Sequence, residues 1–327
     1  MAETGSIAKM ADRLSAEIFN VFNWERTGPL NANWPCDNPQ HDGKTHPSDV
    51  VFYYDSPYKD TRTYIACDLK SYGRSSISKA AIHKAAKSLA KALSCAENSA
   101  EWQEQYVHEN VTADICALLF VYNHDGEYDS DFQDYLHSLT HEELNVPKGA
   151  RLFILGPRDI YWLHNVTADI IYARGTKTLP EQQYCQYHYP NLVRHKKLQP
   201  TKARAATLEM LTGPWIILEY NPPTTTTTFP KGYVIYYRRR GEKTDEFLYL
   251  IDYLLHYQFF DDNPFIRIKL LDAHHNAPAL FSKAIDEYVD EHEGGEDLKT
   301  QLKAIDFAIM QNVHKNFSEQ QIGMEDA

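Results

Sequence analysis

Two aspartates and a lysine lie close together in a stretch whose composition predicts two strands joined by a turn. Asp49 opens the first strand, which is β-branched and aromatic, and Asp68 and Lys70 lie near the end of the second. Because side chains alternate between the two faces of a strand, Asp68 and Lys70 project from one face. We therefore expect two carboxylates and an amine to meet at one edge of a sheet.

Such a group of side chains is suited to the hydrolysis of a phosphodiester bond. Converging carboxylates are the oxygen ligands that a hard divalent cation such as Mg²⁺ takes from proteins. The cation stabilises the negative charge that builds on a phosphoryl oxygen, and a neighbouring lysine can orient or deprotonate the attacking water. The alternative is a surface hairpin in which Asp68 and Lys70 form an ordinary ion pair.

The same residues resemble the signature of the PD-(D/E)xK nuclease superfamily, which has the restriction-endonuclease-like fold. The resemblance rests on Pro47-Ser48-Asp49 and, after an 18-residue interval, Asp68-Leu69-Lys70, and it covers roughly residues 6–160. A serine stands between the proline and the first aspartate, and an aspartate rather than a glutamate stands at position 68. Both departures leave the carboxylates in place.

The resemblance implies roles for individual residues. Asp49 and Asp68 would be ligands of Mg²⁺ or Mn²⁺, the backbone carbonyl of Leu69 would be a further ligand, and Lys70 would act at the attacking water. In the superfamily a glutamate of the first helix often faces the metal, and Glu17 could do so here. Alternatively, Glu17 lies at the rim of the apolar stripe of the predicted helix 6–23 and reaches water.

A second long helix, predicted from about Ile77 to Cys95, follows the strand that carries Asp68. Its first amides, with the hydroxyls of Ser75 and Ser76, would favour a bound phosphate. Basic residues recur every four positions on one side of this helix, at Lys79, His83, Lys87 and Lys91. We expect this stripe to follow the backbone of a nucleic acid, and a solvated lysine face is the alternative.

The segment 28–46 is rich in Pro, Asn, Asp and Gly, which predicts a loop. It contains Cys36, His41 and His46, but three ligand-type residues without the paired spacing of known zinc modules are weak evidence for zinc. A loop over the active site, with His46 near Asp49, is the favoured interpretation.

Other enzyme classes have little support. Gly43-Lys44-Thr45 mimics the end of a phosphate-binding loop, but position 38 is Asn where that motif requires Gly, which argues against an NTPase. A GxSxG elbow is absent from the sequence, so a serine hydrolase is also disfavoured.

Alternation of predicted strands and helices favours an α/β fold with a sheet covered on both sides. We expect a restriction-endonuclease-like core, a mixed sheet flanked by helices, in residues 1–190, and a second α/β (α+β) domain for partner binding or oligomerisation in residues 200–327. Between them, Arg194, His195, Lys196, Lys197, Lys202 and Arg204 form a basic run that could touch nucleic acid. Further predicted helices cover 131–144 and 296–316.

Composition limits the function further. The formal net charge of −12 argues against a general nucleic-acid coat protein, although a nuclease can carry a local basic track on an acidic body. Five scattered cysteines without a CxxC pair are typical of reduced thiols in a cytosolic protein. The sequence has neither the apolar run of a signal peptide nor a membrane-spanning stretch, so we expect a cytoplasmic protein without membrane contact.

These features predict a Mg²⁺-dependent endonuclease that acts on nucleic acid, DNA more than RNA. The family suggests a role in prokaryotic defence against phages or plasmids, with a helicase or ATPase as partner protein and with self-association as further expectations. The alternative function is a catalytically silent, nuclease-like binding or assembly subunit of a larger nucleic-acid-processing complex.

Overall fold

The computed structural model describes residues 2–41, 43–189, 204–222 and 229–312, and these form two compact units. The first unit is made mainly of residues up to His164, and the second mainly of residues from Asn165 onward. The basic run at 194–202 and the domain boundary predicted between 190 and 200 fall outside the described residues, so that boundary stays a prediction. Among the described helices, none is long and apolar enough to cross a membrane.

The first unit begins with a long helix and continues through a mixed arrangement of strands and helices. Its helices and strands, in chain order, are α1 (Ala2–Val21), β1 (Glu25–Thr27), β2 (Ala32–Pro35), β3 (Thr45–Ser48), β4 (Val50–Asp55), β5 (Arg62–Tyr72), α2 (Lys79–Ala96), α3 (Ala100–Tyr106), β6 (Ala113–Asn123), α4 (Gln133–Leu136), α5 (His141–Leu144), β7 (Arg151–Leu155) and the start of α6 (Pro157–Gly175).

A five-stranded mixed sheet with the order β1-β4-β5-β6-β7 forms the centre of this unit. Strands β1, β4 and β5 pair antiparallel, whereas β5, β6 and β7 pair parallel. Helix α2 packs on the face that carries Tyr64 and Ala66. On the opposite face, Phe19 of α1 contacts Phe52 and Phe120, with ring centroids 5.1 and 6.0 Å apart.

Strand β5 is buried on both faces. The sequence pattern predicts one core side, made of Thr63, Ile65, Cys67 and Leu69, but residues 63–67 are all buried. The reason is that helices cover both sides of the sheet, as the alternation of strands and helices predicts. Arg62 at the start of β5 and the residues from Asp68 onward are half-exposed.

Helix α2 begins at Lys79, two residues later than predicted. Ser78 caps it, because its Oγ accepts a hydrogen bond from the amide of Ala81 at 3.3 Å. A single 3₁₀ turn, Arg74–Ser76, precedes the cap. Small and apolar residues such as Ala85 and Leu89 form the buried face, which allows close packing on the sheet.

The segment 28–46, predicted as a loop, contains most of a separate two-stranded sheet of β2 and β3. Trp34 is fully buried, and its indole Nε1 donates to Ser48 Oγ at 3.1 Å. The amide of Asn31 donates to the carbonyl of Asp49 at 2.9 Å. The β2–β3 hairpin therefore leads directly into Asp49 and restrains its backbone.

The predicted helix 131–144 is two short helices. Thr140 interrupts it as the cap of α5, because its Oγ1 accepts from the amide of Glu143 at 3.1 Å while the Glu143 carboxylate accepts from the Thr140 amide at 3.5 Å. This reciprocal pair of bonds is a capping box, which starts a new helix rather than continuing the old one.

The second unit is also built on a five-stranded sheet. It contains the remainder of α6, then β8 (Cys185–Tyr187), α7 (Leu208–Thr212), β9 (Trp215–Tyr220), β10 (Gly232–Tyr237), α8 (Thr244–His256), β11 (Phe265–Leu270), α9 (Ala277–Glu291), α10 (Glu296–Lys303) and β12 (Asp306–Ile309). The predicted final helix 296–316 is therefore wrong at residues 304–312, and residues 313–316 lie outside the described part of the chain. The chain turns after Lys303 so that β12 pairs with β11 and the ring of Phe307 stacks on Phe281, with centroids 5.2 Å apart.

The strand order and pairing senses of the second sheet repeat those of the first. Strands β8, β9 and β10 pair antiparallel, and β10, β11 and β12 pair parallel. Strand β10 thus takes the position of β5, and the residues that follow it are Arg238, Arg239 and Arg240. The α/β fold class, with a mixed sheet flanked by helices and a second α/β unit, is confirmed.

Candidate active site

The pairing of β4 with β5 brings Asp49 opposite the end of β5. Val50 pairs with Cys67, so Asp49 stands one residue further along, level with Asp68. The carboxylate Oδ2 of Asp49 accepts a hydrogen bond from the backbone amide of Leu69 at 2.7 Å. This bond fixes the rotamer of Asp49 and directs its carboxylate to the edge where β5 extends beyond β4.

Asp68 and Lys70 project from the same face of β5 and contact each other. The ammonium of Lys70 donates to Oδ1 of Asp68, and the carboxyl groups of Asp68 and Asp49 are close enough to share a hydrogen bond. The side chain of Asp68 is 17% exposed and that of Lys70 is 30% exposed. The structure therefore brings the three predicted residues together at one half-buried edge.

Burial and the charge of the partner side chain shift the pKa values of Asp68 and Lys70 in opposite directions. The pKa of Asp68 is raised to about 6: burial is the largest cause, the Asp49 carboxylate acts in the same direction, and the ammonium of Lys70 opposes both. Burial alone lowers the pKa of Lys70, but the two carboxylates outweigh burial, so that its pKa lies above the ordinary value.

The donor set fits a divalent cation. Two carboxylates against one ammonium leave an excess negative charge on a partly desolvated edge, and a bound cation would compensate it. Asp49 and Asp68 would hold the ion from two adjacent strands, and the partial exposure of Asp68 and Lys70 keeps this edge in contact with solvent. A metal-binding role of the Leu69 backbone carbonyl stays a prediction.

Glu17 is not brought to these residues. Its carboxylate is half-exposed and pairs with Arg13 one turn earlier, at 3.1 Å. Helix α1 covers the face of the sheet that carries Phe52 and Phe120, whereas Asp68 projects from the opposite face. The helical pattern alone does not show which face of the sheet the helix will cover.

Ser75 and Ser76 precede helix α2 rather than cap it. Both are exposed in the 3₁₀ turn, and Ser78 takes the capping position. The amide of Arg74 donates to Asp125 at 2.7 Å, which ties this turn to the segment after β6. A phosphate at Ser75 and Ser76 stays a prediction.

The basic stripe of α2 borders a groove. The groove has a volume of about 540 Å³ and is lined on the α2 side by Ala80, His83, Lys84, Lys87, Ser88 and Lys91, and on the other side by residues of the β2–β3 hairpin. His83 is partly engaged, because its Nε2 lies 3.1 Å from both the Tyr135 carbonyl and Ser138 Oγ. Lys79 is exposed at the start of the helix but does not line the groove.

Lys84 also lines the groove, although it does not belong to the predicted stripe of Lys79, His83, Lys87 and Lys91. It stands three residues before Lys87, and positions three and four apart lie side by side on a helix. Lys84, Lys87 and Lys91 are separated by three and four positions, so they form one surface on the helix.

Residues 1–159 match the family model described as "GAPS4 protein PD-(D/E)XK nuclease domain". This part of the chain belongs to the PD-(D/E)xK nuclease superfamily. The match extends over the whole mixed sheet of the first unit and includes the segments that carry Asp49, Asp68 and Lys70. The superfamily resemblance of the sequence is thus confirmed. A search of curated proteins found no match, and a search of solved structures found none either.

The second unit lies outside the matched residues 1–159. That unit repeats the strand order, but the residues after β10 are three arginines where the first unit has Asp68-Leu69-Lys70. Nε of Arg238 donates to the carbonyl of Gly213 at 3.0 Å, and Nε of Arg240 donates to the carbonyl of Asp272 at 2.8 Å. These arginines hold neighbouring turns, which is a structural use of this edge.

Proposed function

We propose that the PD-(D/E)xK domain hydrolyses phosphodiester bonds of nucleic acid, DNA rather than RNA, as an endonuclease that requires Mg²⁺ or Mn²⁺. The observation that supports this proposal is the meeting of Asp49, Asp68 and Lys70 at the open end of β4 and β5. An ordinary ion pair does not need the second carboxylate, whose position is fixed by its own hydrogen bond to Leu69.

Each side chain has a defined task in this reaction. Asp49 and Asp68 bind the cation from adjacent strands, and the bound cation supplies positive charge that stabilises the developing charge on the phosphoryl oxygens. Lys70 places its ammonium beside both carboxylates, where it orients the attacking water and donates to a phosphate oxygen. Because Asp68 is half-buried, these interactions are screened less by water than at an exposed site.

The first prediction concerns the affinity for the metal. Asp49→Asn removes one of two carboxylates without changing the shape of the side chain, so we expect Mn²⁺ binding, measured by calorimetry on the full chain, to weaken at least about tenfold. Asp55→Asn is the matched control, since Asp55 lies at the other end of β4 and pairs with Arg62 at 2.8 Å. Equal Mn²⁺ affinity in both variants would contradict a metal at Asp49, and would favour the silent binding subunit.

The groove beside α2 supports binding of a nucleic-acid backbone in the same domain. Lys84 and Lys87 are exposed on its wall, although the chain as a whole is acidic. A local track of lysines neutralises phosphates and gives an affinity that falls with salt.

The second prediction concerns this groove. Replacing both Lys84 and Lys87 with alanine is expected to weaken DNA binding about tenfold or more at low salt and to reduce the slope of log affinity against log salt by about 2. Lys59 and Lys283 are exposed and lie outside the groove, so their double alanine variant is the control. An unchanged slope in the groove variant would remove the groove from the DNA interface.

We further propose a role in prokaryotic defence against phage or plasmid DNA, in which the second unit binds a partner protein, such as a helicase or ATPase, or a second copy of the chain. The family assignment of residues 1–159 and the three arginines after β10 support a catalytic first unit and a binding second unit.

Cells that carry the intact chain should restrict phage plating, and cells that carry Asp68→Asn should not.

A further inference from the structure

Four residues with metal-binding side chains, none of them Asp49, Asp68 or Lys70, come together in the first unit. Cys36 follows β2, His41 lies in the turn of the β2–β3 hairpin, His46 lies in β3, and Cys95 lies in the last turn of α2. One ligand atom of each residue lies within 4.8 Å of the ligand atoms of the other three. The group therefore joins the hairpin to a helix that is distant in the sequence.

The distances within this group match a tetrahedral metal site. The two sulfur atoms are 3.8 Å apart, and Nδ1 of His41 lies 3.4 Å from each of them. Zinc–sulfur bonds of about 2.3 Å and zinc–nitrogen bonds of about 2.0–2.1 Å, at tetrahedral angles, place two sulfurs ~3.8 Å apart and a sulfur and a nitrogen ~3.6 Å apart.

His46 supplies an independent observation. Its side chain is only 6% exposed, and its Nε2 is buried without a hydrogen-bond partner among the described residues. A buried imidazole nitrogen that lacks a partner is costly, and coordination to a metal ion removes that cost. The ring packs against Trp34 and against His41, at centroid distances of 4.9 and 5.5 Å, which places it inside the group.

A disulfide does not explain the two cysteines. A sulfur–sulfur bond is about 2.05 Å long, much shorter than the separation of 3.8 Å, and both cysteines are free thiols. A plain thiol pair does not explain why two imidazoles, one of them buried, converge on the same point. The side-chain amide of Asn38 lies 3.3 Å from Nε2 of His41 and holds the orientation of that ring, as outer residues do in metal sites.

We propose that Cys36, His41, His46 and Cys95 bind one Zn²⁺ ion as a structural Cys₂His₂ site. Four protein ligands complete the tetrahedron, which leaves no position for a substrate. Thiolate and imidazole ligands select zinc over Mg²⁺ or Mn²⁺, so this ion is separate from the catalytic one. The zinc fastens the β2–β3 hairpin to α2, and through β3 it holds the segment that continues into Asp49.

The test measures metal in the full chain, purified without chelators. We expect about one zinc per chain by elemental analysis, and we expect the Co²⁺-substituted protein to show the intense absorption of tetrahedral thiolate coordination. In Cys95→Ser, zinc should fall to less than about a tenth of that value, with a lower melting temperature. Cys185→Ser is the matched control, because Cys185 is also a buried free thiol and does not belong to the group of four.

Wild-type protein that binds neither zinc nor Co²⁺ in the tetrahedral form would overturn the proposal without the need for a variant. A Cys36–Cys95 disulfide in the intact mass of the unreduced protein would also overturn it. The zinc content is independent of nuclease activity, since Asp49→Asn should retain zinc while it loses Mn²⁺ binding. Failure of the zinc proposal and failure of the proposed function are thus distinguished.

Discussion

Replacing Asp68 with asparagine is expected to lower the rate of DNA cleavage by at least about a thousandfold, equivalent to roughly 4 kcal/mol of transition-state stabilisation. The change removes a carboxylate that contacts both Lys70 and Asp49 while it keeps the size of the side chain. Loss of the cation and loss of the orientation of Lys70 then occur together. The rate is measured on a DNA substrate with saturating Mn²⁺, so that a moderate loss of affinity alone cannot account for the effect.

Asp55→Asn provides the comparison for this variant. Asp55 and Asp68 lie at opposite ends of the same hairpin, and each pairs with one basic side chain of β5. A general weakening of the β4–β5 hairpin would lower the cleavage rate in both variants. Loss of a carboxylate that takes part in cleavage would lower the rate only in Asp68→Asn. Wild-type cleavage by Asp68→Asn with an unchanged melting temperature would exclude Asp68 from the reaction.

The strands of the first unit and the meeting of Asp49, Asp68 and Lys70 could be predicted because their signals are local. The β-branched and aromatic run before Asp55 and the turn after it indicate a hairpin, and strand alternation places Asp68 and Lys70 on one face. The apolar runs of the sequence also predict strands at 151–155 and 215–220, and strands β7 and β9 have these bounds. These features depend on residues within a single strand or a single hairpin, where propensity and periodicity are informative.

The remaining features depend on contacts between distant segments. The fourth residue of the Cys₂His₂ group, Cys95, stands 54 residues after His41, on a helix whose position no local pattern shows. The face that α1 covers, and with it the place of Glu17, is decided by the packing of Phe19 on Phe52 and Phe120. Strand β12 is short and follows a helix, so that only its pairing with β11 identifies it.

Among the described residues, the Asp68–Lys70 pair and the Asp169–Lys269 pair are both largely buried, and their surroundings distinguish them. In the second unit, Lys269 Nζ lies 2.6 Å from Oδ2 of Asp169, and the hydroxyl of Tyr236 donates to the same carboxylate at 2.9 Å. One carboxylate, one ammonium and one neutral donor balance each other, so this group needs no ion. The pair of Asp68 and Lys70 differs because Asp49 adds a second carboxylate, and that excess charge is the feature that a cation would use.

We expect that removing one member of the group Asp169, Lys269 and Tyr236 destabilises the second unit more than removing all three together. Lys269→Met leaves the carboxylate of Asp169, which is 12% exposed, without its counter-charge, and we expect the free energy of unfolding to fall by about 3–5 kcal/mol. Replacing all three partners, by Asp169→Leu, Lys269→Met and Tyr236→Phe together, should restore at least about 1–2 kcal/mol relative to the single variant, because no unpaired polar group remains. Urea unfolding followed by circular dichroism measures both values. A triple variant less stable than Lys269→Met would show that the ionic contacts themselves, rather than the avoidance of an unpaired charge, stabilise this unit.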